Sequence, residues 1–138
     1  MKQNPRILIV DDFETVRLFL RNALNQIGIE NIEEAGDGKE ALQMIEDWHK
    51  RSQSFDMVFC DWNMPEMTGI ELLQELRRTP HLKNLPFVMV TAESETSSVE
   101  NALKAGTTDY ITKPFTVDGL REKIESIFNR LQKTQATG

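Results

Sequence analysis

Five short apolar runs, each separated from the next by a segment of helical period, constrain this chain more than any other feature. The runs occupy residues 6–10, 31–35, 55–60, 86–90 and 109–112. Continuous runs of this length suit strands buried on both faces, as in a parallel sheet. Between them, Val16, Phe19, Leu20, Ala23, Leu24 and Ile27 share one helical face, which Gly28 terminates. A second helix carries Ala41, Leu42 and Ile45, with Asp37 placed to cap it. Leu72, Leu73 and Leu76 mark a third, opened by the capping-box pair Thr68 and Glu71. Val99, Ala102 and Leu103 suggest a fourth, with Ser97 and Glu100 in the same capping pattern and Gly106 as its stop. Leu120, Ile124, Ile127, Phe128 and Leu131 make the fifth. Parallel strands need right-handed helical crossovers. The expected fold is therefore α/β: a doubly wound five-stranded parallel sheet in flavodoxin-like order 2-1-3-4-5, with helices on both faces.

A chain of 138 residues fits one compact domain. We assign residues 1–132 to it and residues 133–138 to a flexible tail or the start of a linker. No apolar stretch is long enough to span a bilayer and no secretory leader pattern opens the chain, so a cytoplasmic location is expected. The net charge of −6, without a basic stripe, argues against nucleic-acid binding. Cys60 is the single cysteine, which excludes an internal disulfide, and its apolar neighbours predict a buried, inert thiol.

Chemistry gathers where the apolar runs end. The first is followed by Asp11 and Asp12, the third by Asp61, the fourth by Thr91 and the fifth by Lys113. In a parallel sheet these ends open on one edge, where ligands bind. Crowded carboxylates repel one another, and a hard divalent cation removes the conflict. Oxygen-only ligands match Mg²⁺, which keeps several waters and shares phosphate oxygens. Lys113 supplies a positive charge and Thr91 a hydroxyl, both suited to a transferring phosphoryl group. An Asp carboxylate can be the nucleophile, and Asp61, alone on the central strand, takes that role.

The segments Leu8-Ile9-Val10-Asp11-Asp12, Asp61-Trp62-Asn63-Met64-Pro65, Val90-Thr91-Ala92 and Lys113-Pro114-Phe115 resemble the signature set of response-regulator receiver domains. More narrowly, Asp61–Pro65, Thr91–Glu93 and Lys113–Thr116 are similar to the single-domain chemotaxis regulators. The resemblance runs from about residue 6 to residue 131. It implies a switch rather than an enzyme, catalysing only its own phosphorylation and dephosphorylation. Asp61 would be the phosphoacceptor. Asp12, Asp61 and the Asn63 carbonyl would ligate Mg²⁺, with Asp11 acting mostly through water. Thr91, the Ala92 amide and Lys113 would hold phosphoryl oxygens. Thr91 and Tyr110 would form the switch, Asn63 and Glu93 would tune dephosphorylation, and Lys113–Pro114 would be cis. Expected partners are a sensor histidine kinase upstream and a protein target downstream, such as the flagellar motor switch, acting on a monomer. Ser94, Glu95 and Thr96 depart from the lysines common there in those regulators, and an acidic surface points equally to another partner or a phosphate sink. An N-terminal receiver of a longer regulator is a further reading.

Two other classes compete. An Asp-nucleophile phosphatase would be helped by an acid two positions after Asp61, where this chain has Asn63. A flavin-mononucleotide carrier would want a phosphate-binding loop after the first strand, where Asp11, Asp12 and Glu14 stand instead. Trp62 reads as a partly covered ring beside the site, and Met64, Met67 and Met89 as packing residues. His49 and His81 read as surface histidines without a metal role.

Overall fold

The computed structural model describes residues 4–62, 64, 66–92, 104, 106–113 and 115–137, with residues 91–92 and 131–137 described by backbone alone. In chain order the elements are β1 (Arg6–Val10), α1 (Glu14–Ile27), β2 (Asn31–Ala35), α2 (Gly38–Lys50), β3 (Met57–Asp61), α3 (Gly69–Arg78), β4 (Phe87–Ala92), β5 (Asp109–Lys113) and α4 (Val117–Thr137). The helix expected around Val99, Ala102 and Leu103, with its Ser97–Glu100 cap, lies outside the described residues. The strands form one sheet in the order β2-β1-β3-β4-β5, and every pairing is parallel.

Alternation along the strands divides the sheet's side chains between two cores. Leu8, Val10, Val58, Cys60, Phe87 and Met89 face α2 and α3, where Ala41, Ile45, Leu72, Leu73 and Leu76 meet them. Ile7, Ile9, Met57, Phe59, Val88 and Val90 point the other way, onto Leu20, Ala23 and Leu24 of α1 and Leu120, Ile124, Ile127 and Phe128 of α4. The unbroken apolar stretches 7–10 of β1 and 57–60 of β3 are what two covered faces require.

Local signals set the helix ends. Asp37 Oδ1 accepts the Glu40 N–H at 2.8 Å, capping α2 as expected. Thr68 and Glu71 form the reciprocal capping box of α3. Gly28 stops α1 at φ 101°, a left-handed conformation that costs glycine little.

Four boundaries and one face differ from the sequence reading. β3, β4 and β5 continue past their apolar runs, so that Asp61, Ala92 and Lys113 are terminal strand residues. Backbone pairing, which is indifferent to side-chain polarity, carries the ladder that far. The segment from Gln132, aperiodic in apolar residues, continues α4 to Thr137. Its Gln, Lys and Ala residues favour helix without needing a buried face. Finally, Phe19 is 52% exposed, although its spacing places it with the buried residues of α1. It sits at the margin of that face, where its ring meets Phe115 edge-on at 5.5 Å.

Candidate functional site

The register of the sheet assembles the site. Val10 lies beside Cys60, Asp61 beside Val90, Thr91 beside Thr112, and Ala92 beside Lys113. The residues after Val10 and those ending β3, β4 and β5 therefore share the carboxyl edge. There, Asp11, Asp12 and Asp61 each present one oxygen within 4.8 Å of the other two. Lys113 Nζ stands 3.5 Å from Asp11 Oδ2 and 3.4 Å from Asp61 Oδ1, bridging the two innermost carboxylates.

Backbone contacts hold the acidic residues in place. The Asp11 N–H donates to the Ala35 carbonyl at 3.1 Å, extending the β1–β2 ladder one step beyond the strand. Asp11 Oδ1 accepts the Phe13 N–H at 2.9 Å, which turns the chain into α1. Arg17 Nη1 donates to the Asp11 carbonyl at 2.6 Å, and its Nε is anchored on Glu34 at 3.0 Å. On the far side, Gly69 N–H donates to the Trp62 carbonyl at 3.0 Å, tying the start of α3 to the end of β3. A Cβ at Gly69 would lie 2.3 Å from the Asp61 carbonyl oxygen, so no other residue fits there without displacing the phosphoacceptor candidate's own backbone.

Electrostatics single out Asp61. Burial raises its carboxyl pKa, and the Asp11 charge raises it further. Opposing both, the Lys113 charge and hydrogen bond and the Trp62 backbone hydrogen bond lower it; the net shift is upward from 3.8. Cys60, wholly buried, has a thiol pushed well up by desolvation and then by Asp61 and Asp11. The inert-thiol expectation therefore stands.

Asp11 is buried, Asp61 half-buried and Asp12 exposed, a gradation that opens the cluster to solvent on one side. An oxygen-only donor set with an open side suits a hard cation that retains waters, and the three carboxylates fit Mg²⁺. Among the described residues no other cluster of three such ligands occurs. Tyr110 is half-buried against the core beneath α3, with Lys123 Nζ 5.4 Å from its ring centre. Trp62 is partly covered beside the site, while Met64 and Met89 are buried and Met67 packs against the same core. Asn63, Glu93, Ser94, Glu95, Thr96 and Pro114 lie outside the described residues.

A protein-family model described as "Response regulator receiver domain" matches residues 7–125. The chain belongs to the receiver-domain family. Receiver domains are signalling switches of two-component systems, and they work with Mg²⁺. This receiver is 45% identical over 131 residues to "Chemotaxis protein CheY-3" of Vibrio cholerae serotype O1, spanning 95% of this chain and 97% of the relative. It is 48% identical over 126 residues to "Chemotaxis protein CheY" of Pseudomonas aeruginosa, covering 91% and 98% of the two chains. Among solved structures, the receiver domain of a Francisella response regulator superposes with a TM-score of 0.79 at 34% identity, over 93% of this chain and 99% of that one. Vibrio cholerae chemotaxis protein CheY4 gives 0.78 at 30% identity, over 89% and 98%. No helix among the described residues is long and apolar enough to cross a membrane.

Three features escaped the sequence reading. Arg17 and Gly69 act through backbone carbonyls at the site, and neither carries a local signal of that role. The third is a contact between His49, at the end of α2, and His81, in the turn after α3.

Proposed function

We propose that this receiver accepts a phosphoryl group on Asp61 from a phosphohistidine of a sensor kinase and thereby switches a protein-binding face in chemotaxis. The observation that carries the reading is Lys113 Nζ held between Asp11 and Asp61, inside a cluster of three carboxylates. An Asp61 carboxylate oxygen would attack phosphorus as the bond to the kinase imidazole nitrogen breaks, leaving an acyl phosphate here and a free histidine there. Asp12, Asp61 and the Asn63 carbonyl would hold Mg²⁺, with Asp11 acting through water. Bound Mg²⁺ would supply neutralisation of charge on the phosphoryl oxygens.

Lys113 would leave Asp61's unmodified carboxylate to pair with a phosphoryl oxygen, while Thr91 and the Ala92 amide would receive the others. Phosphorylation brings nearly two negative charges, enough to draw Thr91 inward and let Tyr110 follow. Asn63 and Glu93 would handle the attacking water in hydrolysis, and the phosphorylated state would be short-lived. Names carried by the relatives support chemotaxis, and the downstream target would be the flagellar motor switch.

The test is incubation with acetyl phosphate and Mg²⁺ followed by intact-mass measurement. One phosphoryl group should be gained by the wild type and none by Asp61→Asn. Equal gain by both would sink the assignment. Replacing Asn63 by Arg should slow loss of the label several-fold, and an unchanged rate would remove that residue from the hydrolytic step.

A further inference from the structure

We propose that His49 and His81 form a second cation site, selective for a borderline transition ion such as Zn²⁺, Ni²⁺ or Cu²⁺. It lies at the opposite edge of the sheet from the carboxylate cluster. His49 is in the last turn of α2, and His81 follows the end of α3 at Arg78. Each helix runs back from the carboxyl edge, so both of these ends lie at the amino edge of the strands.

The two rings are 4.6 Å apart between centroids and tilted by 33°. Two imidazoles sharing one ion place their centroids about 4.5–5.2 Å apart, given metal–nitrogen bonds of about 2.0–2.1 Å and angles of about 90–110°. The observed separation falls in that window.

Hydrogen bonding supplies the second argument. His49 Nδ1 is 3.0 Å from Ser54 Oγ. His81 Nε2 is 3.1 and 3.2 Å from the two Glu46 oxygens. A ligating histidine characteristically donates its other ring N–H to a carboxylate or another oxygen, which fixes the tautomer. With Ser54 and Glu46 accepting those protons, each ring keeps one lone pair, on His49 Nε2 and His81 Nδ1. Neither of these atoms has a hydrogen-bond partner among the described residues. Glu46 thus acts by orienting His81 rather than by ligation, and water would complete the coordination, since the His81 side chain is 42% exposed. Imidazole donors select against Mg²⁺, so the two sites would load different ions. Such an ion would clamp the end of α2 to the connection between α3 and β4.

Calorimetric titration of the full chain with Zn²⁺, in saturating Mg²⁺ to occupy the carboxylates, tests this. One Zn²⁺ per chain should bind with micromolar affinity. His49→Gln and His81→Gln should each weaken binding at least about tenfold, and Glu46→Gln by about tenfold. Asp61→Asn should leave it unchanged. In the wild type, imidazole nitrogen resonances of His49 and His81 should move on Zn²⁺ addition, a readout independent of how any variant folds. Binding that survives both histidine substitutions, binding lost in Asp61→Asn, unmoved imidazole resonances, or affinity no tighter than millimolar would each overturn the proposal.

Discussion

Asp61 occupies a position where the ionised form is costly, and its neighbours decide how costly. Its pKa is raised in the folded chain, so the native state holds that proton more tightly than the unfolded state does. Stability is therefore lost as pH rises from the ordinary value of 3.8 through the raised one. Replacing Asp61 by Asn, which carries no charge, should raise the melting temperature at pH 7 in chelator. The gain should vanish in melts below pH 3.8, where wild-type Asp61 is protonated in both states. Lys113 keeps Asp11 as a partner in the variant, so no orphaned charge offsets the gain. Gly69 makes the opposite case. A methyl group there would meet the Asp61 carbonyl oxygen at 2.3 Å and Met89 Sδ at 3.1 Å. Gly69→Ala should cost about 2 kcal/mol in urea unfolding, as overpacking does, and should slow labelling by acetyl phosphate. Sequence alone exposes the first residue and hides the second. An Asp at the end of an apolar run announces itself, whereas a glycine beside a carbonyl from another element is indistinguishable from any turn glycine.

At the scale of elements, the capping signals were legible because they are local. Asp37 and the Thr68–Glu71 pair act within one turn of where they stand in the chain. Thr68→Ala should remove the cap of α3 and cost about 1 kcal/mol by chemical denaturation. Loss of that turn would also loosen Gly69, so the same variant should accept phosphoryl more slowly. Strand ends were legible only to within a residue or two. The runs end at Cys60, Val90 and Thr112, but backbone pairing continues into Asp61, Ala92 and Lys113. The difference has chemical weight: a group on the last paired residue of a ladder is held more rigidly than one on the loop beyond it. The half-exposure of Phe19 follows from the same limit of pattern reading. Helical spacing ranks residues around a face but does not say how far the neighbouring elements reach across it, and here the Phe115 ring meets that margin.

Across the whole molecule, contacts between distant segments carry what no local pattern encodes. Arg77 is one such tie. Its Nε donates to the Gly106 carbonyl at 2.8 Å, and its Nη1 donates to those of Lys83 at 3.1 Å and Leu85 at 2.8 Å. One guanidinium thus joins the end of α3 to the approaches of both β4 and β5. Arg77→Met should leave three carbonyls without their donor and lower stability by about 2 kcal/mol in urea, with Arg77→Lys recovering only part of it. The His49–His81 contact is another link between segments that the linear order keeps apart.

The same long-range assembly bears on how the chain is made. Asp61 leaves the ribosome well before Lys113, and the bridging ammonium arrives only with the final strand. A nascent chain stopped short of residue 109 would carry the acceptor carboxylate without the counter-charge that equips it. On the proposed reading, competence to accept a phosphoryl group would wait until the fifth strand has joined the sheet.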